Sequence, residues 1–109
     1  MTGDNTLRSK KEIQAVFKKG KKLSSYPLRI FYLKNGVSIT RFLYCSDRTA
    51  RTAVRRNRVK RVLRACIREL ESSVSPGFDI AIIASYLFTE KLFFERIRQL
   101  KELLQKIDK

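Results

Sequence analysis

Read for its alternation of apolar and polar positions, the chain predicts alternating helices and strands. In "SKKEIQAVFKKG", Ser9 and Glu12 have the spacing of a capping box and Gly20 closes the segment, so residues 10–19 are predicted to be a helix with Ile13, Val16 and Phe17 on one face. Two runs rich in aromatic and β-branched residues then flank Asn35-Gly36, the strongest short-range signal for a tight hairpin. They predict strands over 28–34 and 37–45, with Pro27 at the start of the first. Thr52 is a candidate N-cap for a helix running to Leu70, followed by the loop "SSVSPG". "FDIAIIAS" is almost continuously apolar, as expected of a strand covered on both faces. Thr89 is the candidate cap of a last helix, in which Leu92, Phe93, Ile97, Leu100, Leu104 and Ile107 recur at helical spacing.

The order is helix, two or three strands, helix, strand, helix, with no internal repeat. It predicts one domain over 1–109 of the α/β (α+β) sandwich class, three helices against a small mixed four-stranded sheet in the order α-β-β-β-α-β-α.

Charge changes the picture. Lys plus Arg is 25 against 10 for Asp plus Glu, a formal net charge of +15 on 109 residues. So large a charge repels itself unless a polyanion is near, which favours nucleic acid over an anionic membrane surface. The opening "MTGDNTLRSKKE" has no apolar stretch like that of a signal peptide, and the most apolar segment is too short to span a bilayer, so a cytoplasmic location is expected. Cys45 and Cys66 are the only cysteines and there is no histidine, which argues against a zinc site, a disulfide framework or a disulfide-linked partner; both read as buried small hydrophobes.

The charge is concentrated. Arg48, Arg51, Arg55, Arg56, Arg58, Lys60, Arg61, Arg64 and Arg68 occupy residues 48–68 without one Asp or Glu. On a helix, Val59, Val62, Leu63, Cys66 and Leu70 share one stripe, while Arg58, Arg61, Arg64 and Arg68 lie on the other side. No acid at i+4 balances the cations, so a salt-bridged solvated face is disfavoured. The preference for arginine suits bidentate phosphate contacts. An arginine-rich helix also fits a B-form major groove, although the helix-turn-helix pairing usual for DNA readers is lacking. A second basic region, Lys10, Lys11, Lys18, Lys19, Lys21 and Lys22, lies close in sequence to Phe17 and "RIFYL". Cations beside aromatic faces are what single-stranded RNA requires, though Phe17, Phe31 and Tyr32 are equally candidates for the core. With no histidine and only scattered acids, a nuclease acting through its own side chains is not expected, although acids distant in sequence can meet in the fold.

The stretch "AVRRNRVKRVLR" resembles the arginine-asparagine-arginine signature of the bacterial ribonuclease P protein subunit, Ala-Val-x-Arg-Asn-Arg-x-Lys-Arg, at Ala53, Val54, Arg56, Asn57, Arg58, Lys60 and Arg61. "LRSKKEIQAVFKKGK" and "GFDIAIIAS" are also similar to that family, so the resemblance covers nearly the whole chain. It implies a left-handed βαβ crossover, against the general right-handed rule. It implies two RNA partners, a catalytic RNA and precursor tRNA, with hydrolysis of the 5′ leader carried by the RNA. Mg2+ is implied for the holoenzyme and no cofactor for the protein alone. Arg56, Asn57, Arg58, Lys60, Arg61 and Arg64 are then expected at the catalytic RNA, joined on the charge reading by Arg55 and Arg68. Phe17 and Phe31, with Ile13 beside them, are expected to line the leader cleft. The chain departs from the family pattern at Arg51, where a glycine is usual, and at Ile13, where many members carry an aromatic residue. Other readings of the same residues are an RNA-packaging protein, a stand-alone nuclease and a membrane-surface binder.

Overall fold

A computed structural model describes residues 6–107. Helix α1 spans Lys10–Lys19, with Ser9 Oγ accepting from the Glu12 amide as the capping pattern requires. Gly20 ends it through close approach: a Cβ there would lie 2.3 Å from the Val16 carbonyl oxygen and 2.8 Å from that of Tyr32. The strands are β1 (Lys21–Ser25), β2 (Leu28–Lys34), β3 (Arg41–Ser46) and β4 (Phe78–Ala84), and the other two long helices are α2 (Ala53–Leu70) and α3 (Phe93–Leu104). Short 3-10 turns, Glu71–Ser73 and Tyr86–Glu90, follow α2 and β4.

The sheet order is β1-β2-β4-β3. This corrects the hairpin expected at Asn35-Gly36. β2 and β3 do not pair; β4 lies between them, antiparallel to β2 and parallel to β3. The reason lies in β4, whose residues are all buried except half-buried Ile83, so only a central position satisfies both of its edges and both of its faces. Asn35-Gly36 instead opens a loop towards β3. Asn35 Oδ1 accepts from Val37 N at 2.9 Å, its Nδ2 donates to Ile39 O at 3.0 Å, and Gly36 takes φ +75°. β3 accordingly starts at Arg41 rather than residue 37. The true hairpin is β1–β2, turning at Tyr26-Pro27, so Pro27 precedes the second strand of a pair whose first strand, Lys21–Ser25, lacks an apolar run.

The last helix also starts later than expected. Thr89 is buried and its Oγ1 donates to Tyr86 O at 2.7 Å, closing the 3-10 turn, while Glu95 accepts from Leu92 N at 3.2 Å at the start of α3.

Strand alternation divides the sheet. Leu28, Ile30, Tyr32, Phe42, Phe78, Ile80, Ile82 and Ala84 face the main core, where Val59, Leu63, Cys66, Ile67 and Leu70 of α2 and Leu100, Leu103 and Leu104 of α3 meet them. Phe31, Leu33, Leu43 and Ala81 face the other way, with Val16 and Ile13 of α1. Among the described apolar residues on that side Leu7, Val16 and Ala81 are fully enclosed while Ile13, Phe31, Leu33 and Leu43 are partly exposed, so α1 leaves part of the face open.

Candidate nucleic-acid interface

Helix α2 is docked by one stripe and bare on the rest. Val59, Leu63, Cys66, Ile67 and Leu70 are buried, Val62 is half-buried, and all the basic residues from Arg55 to Arg68 are exposed together with Asn57. Ile67 joins the apolar stripe read from the sequence. At about 100° per residue, Asn57, Arg61, Arg64 and Arg68 project opposite the core, with Arg58 and Lys60 on the two flanks. Arg55 and Arg56 occupy the first turn, whose backbone is capped by Thr52: its Oγ1 accepts from Arg55 N at 3.1 Å.

That first turn contains no acid, so cations sit at the positive end of the helix dipole. Each such placement costs roughly 0.3–1 kcal/mol at an exposed site, and the free chain has no local compensation. Among the described residues none of the seven cations of α2 has an acidic partner; the ion pairs there belong to Arg41. A phosphate backbone relieves both the mutual repulsion and the dipole penalty. Two guanidinium groups are steadied without being neutralised: Arg55 lies 5.3 Å over the ring of Tyr86 and Arg64 5.3 Å over that of Tyr44. These aromatic supports were not read from the sequence, because they come from elements distant in the chain.

On the opposite face of the sheet, Ile13 and Phe31 are half-buried and Phe17 is 39% exposed. The Phe17 and Phe31 rings meet edge-on, 5.1 Å between centroids at 61°, and Lys22 Nζ lies 5.9 Å from the Phe31 centroid. The structure therefore brings Ile13, Phe17 and Phe31 together in a partly open apolar trough with Lys22 at its edge. Tyr32 turns to the main core, as alternation demands of its neighbour Phe31. Burial raises the Cys45 thiol above its ordinary pKa, with the Lys60 ammonium opposing the shift.

Arg41 ties α1 to the sheet beside this trough. Its Nε and Nη2 donate to Asp79 Oδ1 and Oδ2 at 2.9 and 3.1 Å, across the β3–β4 register, and Nη2 also reaches Glu12 Oε2 at 3.0 Å. Asn35 Nδ2 adds a bond to Asp79 Oδ1 at 2.9 Å. Hydrogen bonding to Asp79 raises the Arg41 pKa above its ordinary value. Sequence reading missed this network.

Both cysteines are free thiols, Cys66 buried and Cys45 half-buried. Among the described residues no group of three Cys, Asp or Glu side chains is placed to hold a metal, and no helix is long and apolar enough to cross a membrane.

Fold and site together define a small α+β protein with an exposed arginine-rich helix on one side of its sheet and a separate, partly open aromatic trough on the other. The model of the Ribonuclease P family matches residues 1–108, and the chain belongs to that family. It is 40% identical over 78 residues to the ribonuclease P protein component of Syntrophomonas wolfei, a match covering 72% of this chain and 66% of the relative. With the component of Thermotoga maritima it shares 31% identity over 108 residues, covering 94% and 91%. The solved structure of the RNase P protein from Thermotoga maritima superposes with a TM-score of 0.84 at 29% identity, covering 95% of this chain and 98% of that one. The Staphylococcus aureus RNase P protein shares the fold at 19% identity, TM-score 0.79, over 95% of each chain.

Proposed function

We propose that this chain is the protein subunit of a ribonuclease P holoenzyme, binding the catalytic RNA through α2 and the 5′ leader of precursor tRNA through the trough. The observation that carries the reading is the exposed side of α2, which carries seven cations and no acid before Glu69 and is docked through its apolar stripe. Arg56, Asn57, Arg58, Lys60, Arg61, Arg64 and Arg68, with Arg55 at the end, contact the RNA subunit. Phe17 and Phe31 offer faces on which leader bases stack, each stack contributing roughly 1–3 kcal/mol without reading sequence, and Ile13 supplies apolar contact beside them.

Hydrolysis belongs to the RNA in this reading. Mg2+ belongs to the RNA and substrate as well in this reading. The protein's part is to supply positive charge and stacking surface, so that precursor binds with less help from divalent ions. Titration of a bacterial ribonuclease P RNA tests the assignment. Saturation at one-to-one stoichiometry, with affinity reduced by Arg58→Ala or Arg61→Ala, is expected. Unchanged affinity in both variants contradicts the α2 assignment, and coating of any RNA without fixed stoichiometry favours a packaging protein.

A further inference from the structure

A groove of about 410 Å³ lies between the β1–β2 turn and the loop joining β3 to α2, outside both regions described above; Tyr26, Arg29, Asp47, Arg48 and Thr49 are among its lining residues. Tyr26 is 77% exposed, more than any other large hydrophobic residue described. Its backbone is nevertheless tied down. Gln99 Nε2 of α3 donates to Ser25 O at 3.0 Å and to Tyr26 O at 2.9 Å, and Pro27 O accepts from Ser85 N at 3.0 Å. An aromatic ring carried on a fixed turn is costly to leave in water and loses little freedom when something stacks on it.

The polar groups around the ring have unspent capacity. Arg29 and Arg48 are exposed, and among the described residues neither has an acidic partner. Asp47 Oδ1 accepts from the Thr49 amide at 2.9 Å and from its hydroxyl, while Oδ2 is left open. Two guanidinium groups against one carboxylate leave the groove net positive. Arg29 is also two residues from Phe31 on β2, hence on the same face of the sheet, so the groove continues the Phe17–Phe31 trough along one strand.

We propose that this groove is a nucleotide subsite for single-stranded RNA. One base stacks on Tyr26, Arg29 and Arg48 bind the phosphates on either side of it, and Asp47 Oδ2 accepts from a base N–H or a ribose 2′-hydroxyl. The inference rests on the RNA-binding reading and extends it to residues that reading does not use. The strand comes either from the precursor leader or from the RNA subunit, since both offer the same chemistry.

The chain has no tryptophan, so Tyr26→Trp introduces a single reporter. Titrating that variant with an unstructured oligoribonucleotide is expected to quench its emission saturably. Tyr26→Ala is expected to weaken oligoribonucleotide binding about ten-fold, the size of one base–aromatic stack, with Tyr26→Phe close to the parent and thermal melting unchanged in both. A loss by Tyr26→Ala that grows with leader length in precursor binding to the holoenzyme assigns the strand to the leader; a loss in the titration of the RNA subunit alone assigns it to that subunit. No quenching at saturating oligoribonucleotide, or parental affinity for Tyr26→Ala in every titration, overturns the subsite. If Arg61→Ala still weakens binding of the RNA subunit in that case, the α2 reading stands without it.

Discussion

Arg41 shows how much one side chain carries at the scale of single residues. It joins β3 to β4 through Asp79 and the sheet to α1 through Glu12, partners 38 and 29 positions away in sequence, which is why no local pattern revealed it. Arg41→Met leaves the buried Asp79 carboxylate, among the described residues, with Asn35 alone as a side-chain partner and is expected to cost about 2–4 kcal/mol of stability in denaturant unfolding. A loss below 0.5 kcal/mol, the size of an ordinary surface change, contradicts the role given to the network. Cys66 provides a test by pH. Burial pushes its thiol from 9.0 up to about 11, against the opposing charge of Arg96. Below pH 9 the folded and unfolded chains both hold the proton; from there to about 11 the unfolded chain releases it first, so stability falls as pH rises. The melting temperature of the parent is therefore expected to fall more steeply over that interval than that of Cys66→Ala, and parallel curves contradict the shift. The sequence reading of Cys66 as a buried small hydrophobe agrees with its place in the core; Cys45 is only half-buried because it faces the open side of the sheet.

At the scale of elements, α2 separates folding from binding on two sides of one helix. Leu63→Ala removes a fully buried side chain and is expected to cost about 2–5 kcal/mol in stability. Arg61→Ala touches only the exposed side and is expected to leave melting within about 0.5 kcal/mol of the parent while weakening RNA binding. Comparison of the two by thermal melting and RNA titration checks the division; a large melting loss in Arg61→Ala contradicts it. This division was legible in the sequence, since helical periodicity sorts apolar from basic positions without knowledge of any partner. The boundaries of α1 and α2 and the identity of β2 and β4 were legible for the same reason. Strand pairing was not. Asn35-Gly36 has the chemistry of a hairpin, yet β4 competes for the same strand edges with seven residues, six of them buried, and this long-range gain outweighs the local turn preference. Nor does "KKLSS" announce β1, because an edge strand with one half-buried leucine needs no apolar alternation. The trough was legible only as a set of residue types. That Phe31 lies beside Phe17 while Tyr32 enters the core depends on the sheet face that α1 covers.

On the scale of the whole molecule, +15 charges on a chain with a radius of gyration of 13.0 Å make association with RNA strongly salt-dependent. Each phosphate contact contributes a log–log slope of roughly 0.7–0.9, so replacing one contacting arginine of α2 by alanine is expected to flatten the slope for the RNA subunit by about that amount. An unchanged slope removes that arginine from the contact set. The two faces of the sheet also divide the work: α2 and α3 on one side build the core from which the basic helix projects, and α1 on the other side leaves the aromatic trough open. The central claim, a protein that enables an RNA to process precursor tRNA, is tested most directly by cleavage at low magnesium with three samples: the protein alone, a bacterial ribonuclease P RNA alone, and the two together. Cleavage at the mature 5′ end that appears or rises sharply only in the mixture is the expected result. Cleavage by the protein alone, or no gain in the mixture despite RNA binding, contradicts it.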